Sequence, residues 1–154
     1  MKGFRFRLEP VLAIRRHREE VIQRQLAESQ RALEADRQAL ASTSTALERR
    51  VGEFNRRLQP GTLDMELVGL ESKYLPFLKT ELEDRTYRVQ QQQERVAAEI
   101  EDLLQASRDK KALEKLEEKL RAGFLSEASR KDQNAAEEMA SIRHLLRQAA
   151  RTEY

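Results

Sequence analysis

Residues 26–62 read LAESQRALEADRQALASTSTALERRVGEFNRRLQPGT. Leu26, Leu33, Leu40, Leu47 and Phe54 recur every seven residues, a spacing that keeps one stripe against a partner helix only if the two wind around each other left-handedly. Leu12 extends this register toward the N-terminus and Glu19 interrupts it. The complementary core positions, Ile22, Ser29, Asp36, Thr43 and Arg50, are mostly polar. The seam is therefore a leucine spine beside a wet row, a coil of marginal stability that can adjust. The stretch ends at Gln59-Pro60-Gly61-Thr62, where proline stops one helix, glycine supplies an unusual backbone angle and Thr62 is placed to cap the next. Here the chain is expected to turn back on itself.

Working outward, Pro10 at a first helical position loses no hydrogen bond and Glu9 sits favourably near the positive dipole end, so the first helix is expected over Pro10 to Leu58. After the turn, Leu63 to Tyr74 reads as a short helix, and Pro76 is expected to kink or restart it. The heptad returns as Leu82, Val89, Val96 and Leu103, with Ile100 in the neighbouring slot. The Gln90 to Gln93 run falls inside that period and reads as a solvated helical face with one buried glutamine. Beyond Leu103 the apolar positions reappear as Leu113, Leu116 and Leu120, out of phase, as a stammer that overwinds the coil.

If Leu58 pairs near Leu63, equal rise along both arms puts Pro10 opposite roughly Lys111 in a hairpin about 70 Å long. Residues after about 112 then lack a partner in the chain, although Ala135, Met139, Ile142, Leu146 and Ala149 keep an apolar stripe, with Gly123 as a flexible point before them. The expected fold is all-α, one elongated two-stranded antiparallel coiled-coil hairpin over residues 1–154. Arm 1 covers about 10–58, the turn about 59–63, and arm 2 about 64–122 with a kink near 76; a C-terminal helix, about 124–152, projects beyond.

Composition supports this. Ala, Glu, Leu, Lys and Arg together make about 58% of the 154 residues, above the half that marks long helices, while apolar residues reach only 39% and charged residues 36%. Five Gly, three Pro and no Trp leave little from which to build sheets. The absence of cysteine removes disulfides, thiolate metal sites and thiol nucleophiles together. No stretch is apolar enough to span a bilayer, and Val11 to Ile14 is too short for a secretory core, so the expected location is cytoplasmic. Residues 1–24 hold Lys2, Arg5, Arg7, Arg15, Arg16, Arg18 and Arg24 against Glu9, Glu19 and Glu20, a net +4 in a chain whose total is +2. A basic end on a near-neutral rod points to an end-specific contact with an acidic partner, not to nucleic acid, whose binders carry basic charge along their length.

Chemistry for catalysis is not evident. His17 and His144 lack the i, i+4 partner of a helical zinc site, and Gly3, Gly52, Gly61, Gly69 and Gly123 stand alone, outside any phosphate-cradling loop. Carboxylate pairs such as Glu117-Glu118 and Glu137-Glu138 need a water-excluding cleft that two helices do not supply. The expectation is a protein without enzymatic activity, cofactor or metal. What remains is surface. Phe4, Phe6 and Leu8 alternate with Arg5 and Arg7, and the two rings either pack on the chain's own open end or meet a partner. Tyr74 and Phe77 flank Pro76 and either close the loop end or form a docking patch. Arg143, Arg147 and Arg151 make a basic stripe that reads as a solvated face.

The string Phe4-x-Phe6-x-Leu8-x-Pro10-Val11-Leu12-x-x-Arg15, the long heptad helix after it, and Lys110-Lys111-x-Leu113-Glu114-Lys115-Leu116 in the far arm together resemble the flagellar export protein family FliJ. The resemblance implies a stalk-like coiled coil in the centre of a hexameric export ATPase ring, linking it to the cytoplasmic domain of the membrane export gate and assisting export chaperones. It implies a monomer when isolated, without direct membrane insertion, held peripherally at the inner membrane through the export apparatus. Carried onto this chain, Phe4, Arg5, Phe6, Arg7, Arg15 and Arg16 would meet the ATPase ring, and Tyr74 and Phe77 the gate. Virulence-type secretion stalk proteins share the same plan. A homo-oligomeric scaffold pairing the Leu26 to Phe54 spine between chains, and a basic helical nucleic-acid binder, are the competing readings.

Overall fold

The computed structural model describes residues 3–58 and 64–151. They form two helices, α1 (Glu9–Arg57, 49 residues) and α2 (Met65–Arg151, 87 residues), which pack against each other, with no strand among the described residues. The fold is all-α, as the heptad pattern requires. The expected corner at Gln59-Pro60-Gly61-Thr62 lies outside the described residues.

Helix α1 starts one residue before Pro10. The Leu8 carbonyl accepts from the Leu12 amide at 2.9 Å and the Phe6 carbonyl from the Glu9 amide at 3.2 Å, so proline falls in the first turn, where its missing N–H has no bond to make. Helix α2 is capped by Asp64, whose Oδ1 accepts from the amides of Glu66 (3.1 Å) and Leu67 (3.4 Å), with Glu66 in the positive first turn. Thr62, the expected cap, lies outside the described residues.

Three local expectations are corrected. There is no separate short helix ending at Tyr74, because α2 runs through Pro76 without restarting. Glu71 and Leu78 are both buried, one on each side of the proline, so tertiary packing holds the helix where the lost hydrogen bond alone would weaken it. Nor does a new helix start after Gly123, which is an interior residue of α2. The stripe beyond Leu103 also has another origin. Ala106, at 2% exposure, is buried seven residues before Leu113, so a second row carries the seam where the first ends.

The chain divides into two units of dense internal contact, residues 18–106 and the combination of 1–17 with 107–154. In the unit formed by Arg18–Ala106, Leu33, Val89 and Val96 make the core, with Leu26 and Leu40 packed against them. These are the leucine spine of α1 and the heptad row of α2. Ile100, assigned to the neighbouring slot, is exposed, and Glu99 takes the inward position instead. The wet row is present: Ser29 and Thr43 are buried and Arg50 is half-buried. It meets a matching row on α2, Glu71, Leu78, Arg85, Gln92, Glu99 and Ala106, again seven apart. Ser29 Oγ donates to Glu99 Oε1 at 2.9 Å, and Arg50 Nε donates to Glu71 Oε1 at 2.9 Å. These two pairs run in opposite directions along the helices, which establishes antiparallel packing in this unit. Gln92 is the half-buried glutamine of the run, and its Oε1 is buried without a hydrogen bond.

In the other unit, Leu12 is fully buried. Arg15 Nη1 lies 3.3 Å from Asp109 Oδ2, and Arg16 Nε lies 3.5 Å from Glu114 Oε1. Arg15 thus faces Asp109, where the assumed turn would have set it about one helical turn earlier on α2. From 129 to 151 every residue of α2 is exposed, including Met139, Ile142 and Leu146.

Candidate partner-binding surfaces

The N-terminal segment before α1 sorts its alternating residues by side. Phe4, Phe6 and Leu8 are half-buried, and Arg5 and Arg7 are exposed. Phe4 packs its ring 5.8 Å from that of Phe124, tilted by 52°, and the Arg121 guanidinium lies 5.6 Å from the Phe4 ring centre. Arg121 itself is held by Glu117 at 2.6 Å, one turn earlier on α2. Phe4 therefore rests on α2, while Arg5 and Arg7 stay exposed to solvent. Phe4 packs on the chain's own helix, as one of the two alternatives for the aromatics has it, and Phe6 is half-buried.

Arg15 and Arg16 stand differently from Arg5 and Arg7. Both engage carboxylates of α2, and Arg16 also approaches Glu9 at 3.7 Å. Their side chains keep 37% and 46% exposure, so each remains reachable while serving the packing of the unit. Sequence position alone grouped these four arginines; the structure separates two outward cations from two that bridge the helices.

In the unit formed by Arg18–Ala106, Tyr74 and Phe77 are both exposed, at 41% and 63%, with ring centres 6.3 Å apart. One turn before Tyr74, Glu71 is buried, and Arg50 reaches across from α1 to donate to both its carboxylate oxygens, at 2.9 and 3.2 Å. The Arg50 guanidinium carbon also lies 4.4 Å from the Tyr74 ring centre, within cation–π range. The heptad spacing of α1 marks Arg50 only as a polar core position, and nothing in it singles out Glu71. The available signal was the seven-residue spacing from Glu71 through Leu78 to Glu99 and Ala106.

Among the described residues no group of His, Asp or Glu side chains could hold a metal ion, and no helix is long and apolar enough to cross a membrane. His144 Nε2 lies 3.1 Å from Gln148 Nε2 on an exposed face. The surfaces offer shape, charge and aromatic contact, the means of binding.

No curated protein matches the chain in a sequence search. Among solved structures, a putative YscO homolog from Chlamydia trachomatis is similar at 23% identity and a TM-score of 0.42, over 95% of this chain and 98% of that one. The family model of the flagellar FliJ protein matches residues 4–149, nearly the whole length, and the chain therefore belongs to the FliJ family, a component of flagellar type III secretion.

Proposed function

We propose that this protein is a non-enzymatic stalk that couples the flagellar export ATPase ring to the export gate and assists export chaperones. One observation carries the reading: Phe4, Phe6 and Leu8 are half-buried, with Phe4 packed on Phe124, and Arg5 and Arg7 are exposed. A short segment fixed by aromatic packing and displaying paired cations suits an acidic, end-on partner, because the cations are ordered before binding and lose little freedom on contact. Arg15 and Arg16 extend that basic surface. The exposed rings of Tyr74 and Phe77 form the second contact, toward the gate. With no catalysis of its own, the protein acts on ATP turnover by binding one ring state more tightly than another, and the effect is limited by that difference.

The test is Arg5→Glu with Arg7→Glu in the full chain. Both positions are exposed, so helicity and melting temperature are expected to hold while association with the ATPase weakens about tenfold or more, and more steeply at low salt. Association equal to that of the parent protein would remove the end contact. Arg15→Glu with Arg16→Glu is a less clean probe, since it also sets new carboxylates against Asp109 and Glu114.

A second reading, self-association, draws on the exposed Met139, Ile142 and Leu146 on α2. Sedimentation over a dilution series separates the two: the stalk stays near 18.0 kDa, whereas a self-associating scaffold gains mass with concentration.

A further inference from the structure

Glu71 is a buried carboxylate, 6% exposed, and Arg50 meets it with a single nitrogen shared between both oxygens. The same guanidinium covers the face of Tyr74, whose ring neighbours that of Phe77. Glu71, Tyr74 and Leu78 are three and four residues apart, so they share one face of α2, and the arginine from α1 touches the first two together. A guanidinium suits this place, because its nitrogen donates to the carboxylate while its carbon sits 4.4 Å from the ring centre, whereas an ammonium is a compact, strongly hydrated point charge. Such a pair is a poor source of net stability, because the desolvation of the buried carboxylate offsets much of its attraction to the half-exposed arginine. Its definite product is geometry. It ties the first turns of α2 to α1 just before Pro76, where the helix lacks a backbone hydrogen bond, and it takes one side of the Tyr74 ring.

We propose that Arg50 and Glu71 are positioning residues that orient the Tyr74 ring, and Phe77 beside it, for docking of a partner protein. The inference rests on the reading of Tyr74 and Phe77 as the gate contact. The pair acts through the ring and does not touch the partner. Without the guanidinium, Tyr74 samples other rotamers, and the aromatic patch must be ordered again on each encounter.

Three variants of the full chain test this. Arg50→Met with Glu71→Met removes both charges at similar volume, Arg50→Lys keeps the charge and loses the plane, and Tyr74→Ala with Phe77→Ala removes the patch. Circular dichroism on heating reports the fold, NMR shifts of the Tyr74 ring protons report its orientation, and titration with the soluble cytoplasmic domain of the export gate gives affinity. The double methionine variant is expected to melt near the parent, to shift the Tyr74 resonances, and to bind about five- to tenfold more weakly. Arg50→Lys is expected to move the resonances and weaken binding in the same direction. Parent-like affinity in the double methionine variant overturns the proposal, as do unmoved Tyr74 resonances. If that variant loses its fold, Arg50→Lys decides, and parent-like binding there overturns it equally. Should Tyr74→Ala with Phe77→Ala bind as the parent does, the docking reading itself fails; a loss there without one in the Arg50 variants overturns the positioning role alone.

Discussion

Phe4 and Phe124 place their rings 5.8 Å apart, joining the segment before α1 to a part of α2 that has few other inward residues. Gly3, Phe4 and Phe124 line a shallow cleft with Arg121, Leu125 and Ala128, so the N-terminal segment is anchored by one aromatic pair and a cation. The outward display of Arg5 and Arg7 depends on that anchor.

Phe124→Ala is therefore expected to release the segment while leaving both helices formed. An aromatic pair of this kind is worth about 0.5–1.5 kcal/mol beyond its area. Exchange of the Glu9 amide, which donates to the Phe6 carbonyl of the segment, should accelerate up to about tenfold, with little change in the melting of the rest. Unchanged exchange would mean that Phe6 and Leu8 hold the segment without Phe4.

Leu12 is fully buried, the most enclosed large side chain of the described residues. Leu12→Ala is expected to cost about 2–3 kcal/mol, at the low end for a core leucine because a two-helix seam can partly collapse into the space. Leu120→Ala, at a position about half exposed, should cost well under half of that. Urea titrations of the two variants compare them directly.

The wet seam makes a different prediction. Ser29→Ala removes the donor to Glu99 Oε1, leaving that oxygen with Arg95 on its own helix, and should lower stability by about 1 kcal/mol. Ser29→Leu with Glu99→Leu should instead raise it, by about 1–3 kcal/mol, since apolar packing replaces a polar layer whose Glu99 Oε2 has no hydrogen bond. Denaturant midpoints moving in the same direction for both variants would contradict the account.

A Cβ added at Gly123 meets nothing within 4 Å, and the residue is helical. Gly123→Ala should then stabilise the local helix by about 0.5–1 kcal/mol through reduced unfolded-state freedom alone. Slower amide exchange around residues 120–130, without a change in ATPase association, is the expected result. Weaker association would show that the glycine serves bending in the complex.

Much of the architecture was legible along the chain. The Leu26 to Phe54 spine, the Leu82 to Leu103 row and the polar Ser29, Thr43 and Arg50 row all occupy the sides their spacing assigned. Legibility failed where a local signal competed with packing. Pro76 read as a kink or a restart and Gly123 as a boundary between helices, yet α2 neither restarts at the one nor ends at the other. Ile100 read as core by hydrophobicity, but position 99 is the one in phase with Gln92 and Ala106, so Glu99 turns inward and accepts from Ser29 on the facing helix. Among the candidate surface residues, spacing showed that Phe4 and Phe6 part from Arg5 and Arg7, but not which edge would lie against α2.

Helix, heptad period and the placement of polar against apolar rows are properties of neighbours a few residues apart, and the amino-acid order alone determined them. Which polar groups meet is another matter: Arg50 with Glu71, Ser29 with Glu99 and Arg15 with Asp109 are separated by 21, 70 and 94 residues. Only the packed helices decided those pairs, because a heptad pattern fits several axial offsets almost equally, and the choice is made where side chains of both arms find partners at hydrogen-bond distance.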